Sequence, residues 1–89
     1  MLQKLSIINE KGLHARASAK FVETVERFNA TALVGKDGIS AEANSIMGLL
    51  MLAASCGTII EVETFGTDAS ILAKALKELV DSGFGEVSQ

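Results

Sequence analysis

Within 89 residues the apolar side chains switch repeatedly between the spacing of a strand and that of a helix, and few folds accept such a pattern. Residues 2 to 8, LQKLSII, alternate loosely and run into the turn-forming Asn9-Glu10-Lys11-Gly12. From Ala15 to Phe28 the period lengthens: Phe21, Val22, Val25 and Phe28 share one helical face, away from Lys20, Glu23, Glu26 and Arg27, and Asn29 is a stop. Residues 31–34 and 39–42 flank Gly35-Lys36-Asp37-Gly38, which predicts a hairpin. Asn44 and Ser45 are good N-cap residues for a short second helix over IMGLLMLA, and Gly57 breaks the helical pattern. Residues 58–65 form a strand with Ile60 and Val62 on one face and Glu61 and Glu63 on the other. Thr67 and Asp68 open a third helix to about Val80, with Ile71, Leu72, Ala75, Leu76 and Leu79 as its buried stripe. Gly83 stops it, and residues 84–89 form a short tail.

The order is therefore β-α-β-β-α-β-α, with no proline-rich or serine-rich linker to divide residues 1–89 into more than one domain. An α+β fold is the natural solution, one antiparallel sheet with its helices packed on one face. A chain this short buries roughly 60 to 65% of its unfolded surface, which leaves little volume for a deep cavity and favours a surface site.

A net charge of −3 disfavours nucleic acid as a partner, because such domains carry a basic stripe to meet phosphates. The four aromatic residues are all Phe and are not clustered as a stacking platform. Cys56 has no second cysteine to pair with and no Cys or His neighbour at metal-ligand spacing, so it reads as a structural thiol in a reducing cytoplasm. The N-terminus carries no secretory pattern, and the longest apolar run, Ile46 to Ala54, is too short to insert in a membrane. Neither GxxxxGK[ST] nor GxGxxG occurs, so nothing predicts a nucleotide, another cofactor or a metal.

The stretch with chemistry in it is GLHARASAKFV, residues 12–22. It puts the only histidine, His14, directly ahead of a helix start and two residues before Arg16. The first N–H groups of a helix lack intrahelical partners and the macrodipole is positive there, so a phosphoryl group is held well. The stretch reads as a nucleophile beside an anion pocket, whereas His14 or Arg16 alone would be an ordinary surface residue. Gly12 allows the turn that presents His14. Helix 45–54 is apolar nearly all round: Leu49 and Leu52 are the core choices, and the remaining apolar residues either complete the core or form an exposed partner surface.

Gly12-Leu13-His14-Ala15-Arg16, with Asn44-Ser45-Ile46-Met47-Gly48 some thirty residues later, resembles the HPr family, the histidine-containing phosphocarriers of the bacterial phosphotransferase system. The resemblance covers essentially the whole chain. It implies an open-faced β-sandwich, βαββαβα, with a four-stranded antiparallel sheet and three helices on one face. It also implies a phosphoryl carrier rather than an independent catalyst, which takes the group from phosphoenolpyruvate-charged enzyme I and hands it to an EIIA protein or domain. On that resemblance Nδ1 of His14 is the acceptor, with Arg16 and the backbone N–H of Ala17 stabilising the phosphate. Ala19, Arg27, Ile46, Met47 and Leu50 would surround His14 and dock partners. The family pattern commonly has Pro after the arginine; Ala17 stands there and keeps an N–H.

Ser45 has two readings, a plain N-cap and, as in some branches of the family, a regulatory site for an ATP-dependent HPr kinase/phosphorylase. For the whole chain three roles stay open: a phosphocarrier in sugar transport, a regulatory interaction module like that of the nitrogen-related branch, and, disfavoured because no second catalytic group lies near the motif, a small self-sufficient enzyme. A carrier that shows one face to several partners works most simply as a monomer.

Overall fold

The computed structural model describes residues 1–86, so the last three positions of the expected 84–89 tail lie outside the described residues. The elements are β1 (Leu2–Ser6), α1 (Ala15–Glu26), β2 (Thr31–Lys36), β3 (Ile39–Glu42), α2 (Ile46–Leu50), β4 (Ile59–Phe65) and α3 (Ala69–Asp81), with a short 3-10 turn at Gly83–Gly85. The predicted order holds. The strands form one sheet in the order β1-β4-β2-β3, with every neighbouring pair antiparallel.

Alternation decides which face of the sheet is covered. Leu5, Ala32, Val34, Ile60, Val62 and Thr64 are buried beneath the helices, while Leu2, Leu33, Ile59, Glu61 and Phe65 face the other way and are exposed. All three helices therefore lie on one face, as an open-faced sandwich requires. Phe21, Val25, Leu49, Leu72, Leu76, Val80 and Phe84 fill the space between the layers as one contiguous cluster. Leu49 and Leu52 are both core residues, as expected.

Several predicted details are corrected. β1 ends at Ser6 instead of residue 8; Ile7 still exchanges backbone bonds with Gly57 and Thr58 and is buried, but Ile8 is exposed. β2 runs on to Lys36, and the hairpin turn is the two-residue Asp37-Gly38, both with positive φ (50° and 81°), the combination that suits strand twist. α1 ends at Glu26 rather than Phe28, which packs half-buried beside the core. α2 spans only five residues, because Met51 is its C-cap and Ala53 adopts φ 51°.

The stripe of α3 is Leu72, Ala73, Leu76 and Val80, whereas Ile71 is 53% exposed. Ile71 lies one residue, about 100° of helix rotation, from the core-facing i, i+4, i+8 row through Leu72, Leu76 and Val80, and so turns to solvent. Asp68 occupies the N-cap position without capping; its Oδ2 instead accepts from the backbone N–H of Asn29 (2.8 Å) and ties the α1–β2 connection to α3.

Candidate functional site

Gly12, with φ 67°, lies so close to the segment after α2 that a Cβ on it would stand 2.5 Å from the carbonyl oxygen of Ala54. The next N–H, that of Leu13, donates to that same oxygen at 2.9 Å. Leu13 is buried, and the chain turns up into α1 with His14 at its N-cap. The predicted role of Gly12 therefore has a physical basis: close backbone approach and a left-handed φ fix the residue that precedes His14 by two.

His14 is the cap itself and not merely its neighbour. Its Nδ1 accepts from the backbone N–H of Arg16 at 3.2 Å, the place a Ser or Asp oxygen would ordinarily fill. The first intrahelical bond runs from Ser18 N–H to the His14 carbonyl (2.8 Å), so the N–H groups of Ala15, Arg16 and Ala17 precede it. No acidic residue occurs in the first turn, which leaves the positive end of the dipole uncompensated by the helix's own sequence. Arg16 is exposed, whereas Ala17 is fully buried, its backbone N–H included.

The other ring nitrogen has a partner that the sequence did not suggest. His14 Nε2 is hydrogen-bonded to Oε2 of Glu86, and Oε1 of Glu86 accepts from Asn9 Nδ2 at 3.1 Å. Asn9 is buried and also donates from Nδ2 to the Gly12 carbonyl (2.7 Å), while its Oδ1 has no partner among the described residues. The bond from His14, then the one from Asn9, holds the Glu86 carboxyl below its ordinary range, against the opposing effect of desolvation.

Glu86 reaches His14 through a strap. After the Ser82 C-cap the chain passes through Gly83, Phe84 and Gly85 with φ of 64°, 59° and 72°. Phe84 is fully buried in the core, and its carbonyl accepts from Lys20 Nζ of α1 at 2.6 Å. A lone phenylalanine between two glycines near the chain end was the available signal. Nothing local could pair residue 86 with residue 14.

His14 lies between two open concavities. One, of about 510 Å³, is lined by Asn9, Lys11, Arg16, Asp81 and Glu86 among others. The second, smaller one is walled by Lys11, Leu13, Ala53, Ala54 and Ser55. The expected docking residues are placed less uniformly. Ile46 and Met47 on α2 are exposed, at 39% and 67%, as is Met51, while Leu50 and Ala19 are half-buried. α1 and α2 pack together, but Arg27 is the C-cap of α1, roughly 20 Å along the helix from His14. A surface containing both ends would run the length of α1.

Residues 2–82 match the family described as "PTS HPr component phosphorylation site". The chain belongs to the HPr family. It is 48% identical over 84 residues to the phosphocarrier protein HPr of Neisseria meningitidis, covering 94% of each chain. To the phosphocarrier protein NPr of Escherichia coli it is 41% identical over 85 residues, again with 94% of each covered. A crystal structure of HPr from Thermoanaerobacter tengcongensis superposes with a TM-score of 0.93 at 38% identity, covering 99% of both chains. The four-stranded antiparallel open sheet with three helices is thus the family fold, and the family's members are phosphoryl carriers rather than catalysts. No helix among the described residues is long and apolar enough to cross a membrane.

Proposed function

We propose that His14 accepts a phosphoryl group on Nδ1 from phosphoenolpyruvate-charged enzyme I and passes it to an EIIA protein or domain. The observation that carries this reading is the direction of the ring: Nδ1 is turned onto the uncompensated start of α1, and Nε2 is turned away onto Glu86.

A neutral imidazole with hydrogen on Nε2 presents its lone pair at Nδ1. That lone pair is held by the exposed, long bond from Arg16 N–H, which is given up easily. As the P–Nδ1 bond forms and the donor's bond to phosphorus breaks, the released Arg16 N–H and the adjacent Ala17 N–H meet phosphoryl oxygens. The Arg16 guanidinium adds charge-assisted bonds from solvent-exposed reach. Because the site is an open cleft, partners bring their own catalytic groups to it.

Enzyme I and EIIA dock, in this proposal, on the α1–α2 face, where Ile46 and Met47 present exposed apolar surface beside Ala19 and Leu50, with Arg27 at the far end of α1. Ser45 is a candidate for regulatory phosphorylation. Its Oγ accepts from Gly48 N–H at 3.0 Å, so phosphate there would keep the cap while adding charge beside Ile46 and Met47. The protein acts as a monomer in the cytoplasm. Sugar transport and the nitrogen-related branch share this chemistry and differ in which EIIA takes the group.

Incubation with enzyme I and phosphoenolpyruvate, with intact-mass spectrometry as the readout, tests the proposal. The native protein should gain one acid-labile phosphoryl group and His14→Ala none. Absence of that gain, with an enzyme I active on another HPr, overturns it. The corresponding trial for Ser45 uses HPr kinase and ATP, with Ser45→Ala as the control.

A further inference from the structure

We propose that Glu86 is a positioning residue for phosphoryl release: its carboxylate keeps the proton on Nε2 of phosphorylated His14, so that the ring departs as neutral imidazole. This rests on the reading of His14 as the acceptor.

Proton and electron count give the reason. Attack by neutral His14 creates a P–Nδ1 bond and leaves a positive ring carrying hydrogen on Nε2. When an acceptor nucleophile attacks phosphorus, the P–Nδ1 bond breaks and its electron pair returns to Nδ1, leaving neutral imidazole with the Nε2 hydrogen still in place. No proton need move in either step. If Nε2 loses its proton in between, the leaving group becomes imidazolate, a far poorer one. A carboxylate on Nε2–H opposes that loss, as the aspartate of a catalytic triad stabilises the imidazolium beside it.

Glu86 is fixed for this task and is no chance surface pair. Its oxygens are divided between His14 Nε2 and Asn9 Nδ2, and Asn9 is buried and anchored on Gly12. The strap that delivers it contains a non-glycine residue at φ 59°, Phe84, and such backbone persists only where the surroundings over-determine it. Here the buried ring of Phe84 and the Lys20 Nζ bond to its carbonyl supply that restraint. The other charged groups lining the cleft are Glu10 and Lys11 from the loop after β1, Arg16 of α1 and Asp81 of α3. They carry opposite signs in equal number, and among the described residues Glu86 is the side chain bonded to the ring. Its depressed titration, caused first by the His14 bond, keeps it ionised at neutral pH.

The test compares native protein, Glu86→Gln and Glu86→Ala, each phosphorylated by enzyme I and then freed of it. Loss of the phosphoryl group is tracked against pH, with thermal unfolding as a control for folding. Glutamine keeps an acceptor but no charge, so the limb on which release slows with rising pH should move to lower pH by about 0.5 unit in Glu86→Gln, a size set by the pair's partial exposure. Transfer to EIIA near pH 7.5 should fall by about threefold at most, the change in protonated fraction that such a displacement allows. Superimposable profiles, or a move to higher pH, would overturn the assignment while leaving His14 as acceptor intact. Failure of the native protein to be phosphorylated at all would instead remove the reading beneath it.

Discussion

Gly12→Ala is the change whose cost the structure specifies most fully. A left-handed φ costs an L-residue roughly 1–2 kcal/mol. The new Cβ would also stand 2.5 Å from the Ala54 carbonyl oxygen and 2.9 Å from Ser55 Cα, both backbone atoms that cannot rotate away. The two segments must part, and the Leu13 N–H bond to that carbonyl, now 2.9 Å, is lost or stretched at a cost of about 0.5–1.5 kcal/mol. Restricting the unfolded chain returns about 0.4–1 kcal/mol. With the forced separation added, the net is on the order of 2–4 kcal/mol, or a fall of about 10–25 °C in Tm for a domain this size. Gly38→Ala is the matched control, since Gly38 has φ 81° but no heavy atom within 4 Å of a built Cβ. It should cost only the strain less the entropy gain, about 1 kcal/mol or less. Urea unfolding of the two variants separates the terms. If Gly12→Ala is no more destabilising than Gly38→Ala, the close approach to Ala54 is not what holds the loop under His14.

Three further outcomes are expected. Phe84→Ala should destabilise by about 3–5 kcal/mol through loss of a fully buried ring, and phosphorylated protein that still folds should share the altered release profile of Glu86→Gln, because the strap carries Glu86. Ser45→Ala should cost about 1 kcal/mol in thermal unfolding by stranding Gly48 N–H, whereas Ser45→Asp should stay within a few tenths of native because it can still cap. The carboxyl of Glu86 titrates lower in the folded than in the unfolded chain, so its stabilising contribution is complete above its ordinary value of 4.5 and disappears as pH falls through the lower folded value. Thermal unfolding of native protein and Glu86→Gln should therefore differ above pH 4.5 and converge below it; a gap that widens in acid would reverse the assigned sign.

Local patterns carried the element order because each element here is decided by its own period. Val62 between Glu61 and Glu63 could only be an inward residue of a half-covered strand, and it is buried with them facing out or partly covered. Helix starts were less legible. Asp68 looks like an N-cap from sequence, yet its carboxylate is drawn to Asn29, and only the packing of α3 against the α1–β2 connection decides between the two. At the site, His14, Gly12 and Arg16 could be read because one turn of chain contains them. The other half could not: the His14–Glu86 bond joins positions 72 apart, and it exists because α3 ends where Phe84 can enter the core.

Histidine in the role of helix cap would make the proposed phosphorylation of His14 a capping event. In the resting protein Nδ1 takes the Arg16 N–H, so the acceptor of the helix start and the proposed nucleophile are a single lone pair. Phosphorylation at Nδ1 would remove that acceptor but set anionic oxygens at the same place, and these accept more strongly than a ring nitrogen at 3.2 Å. The positive end of α1, uncompensated by any acid in its first turn, adds to the attraction. The helix start should then be better capped in the phosphorylated state than in the resting one. Amide hydrogen exchange at Arg16 and Ala17 should slow on phosphorylation of His14, with exchange in α3 unchanged. Faster exchange there would mean that the phosphoryl group points away from the helix and that the anion-holding role of its first turn is wrong.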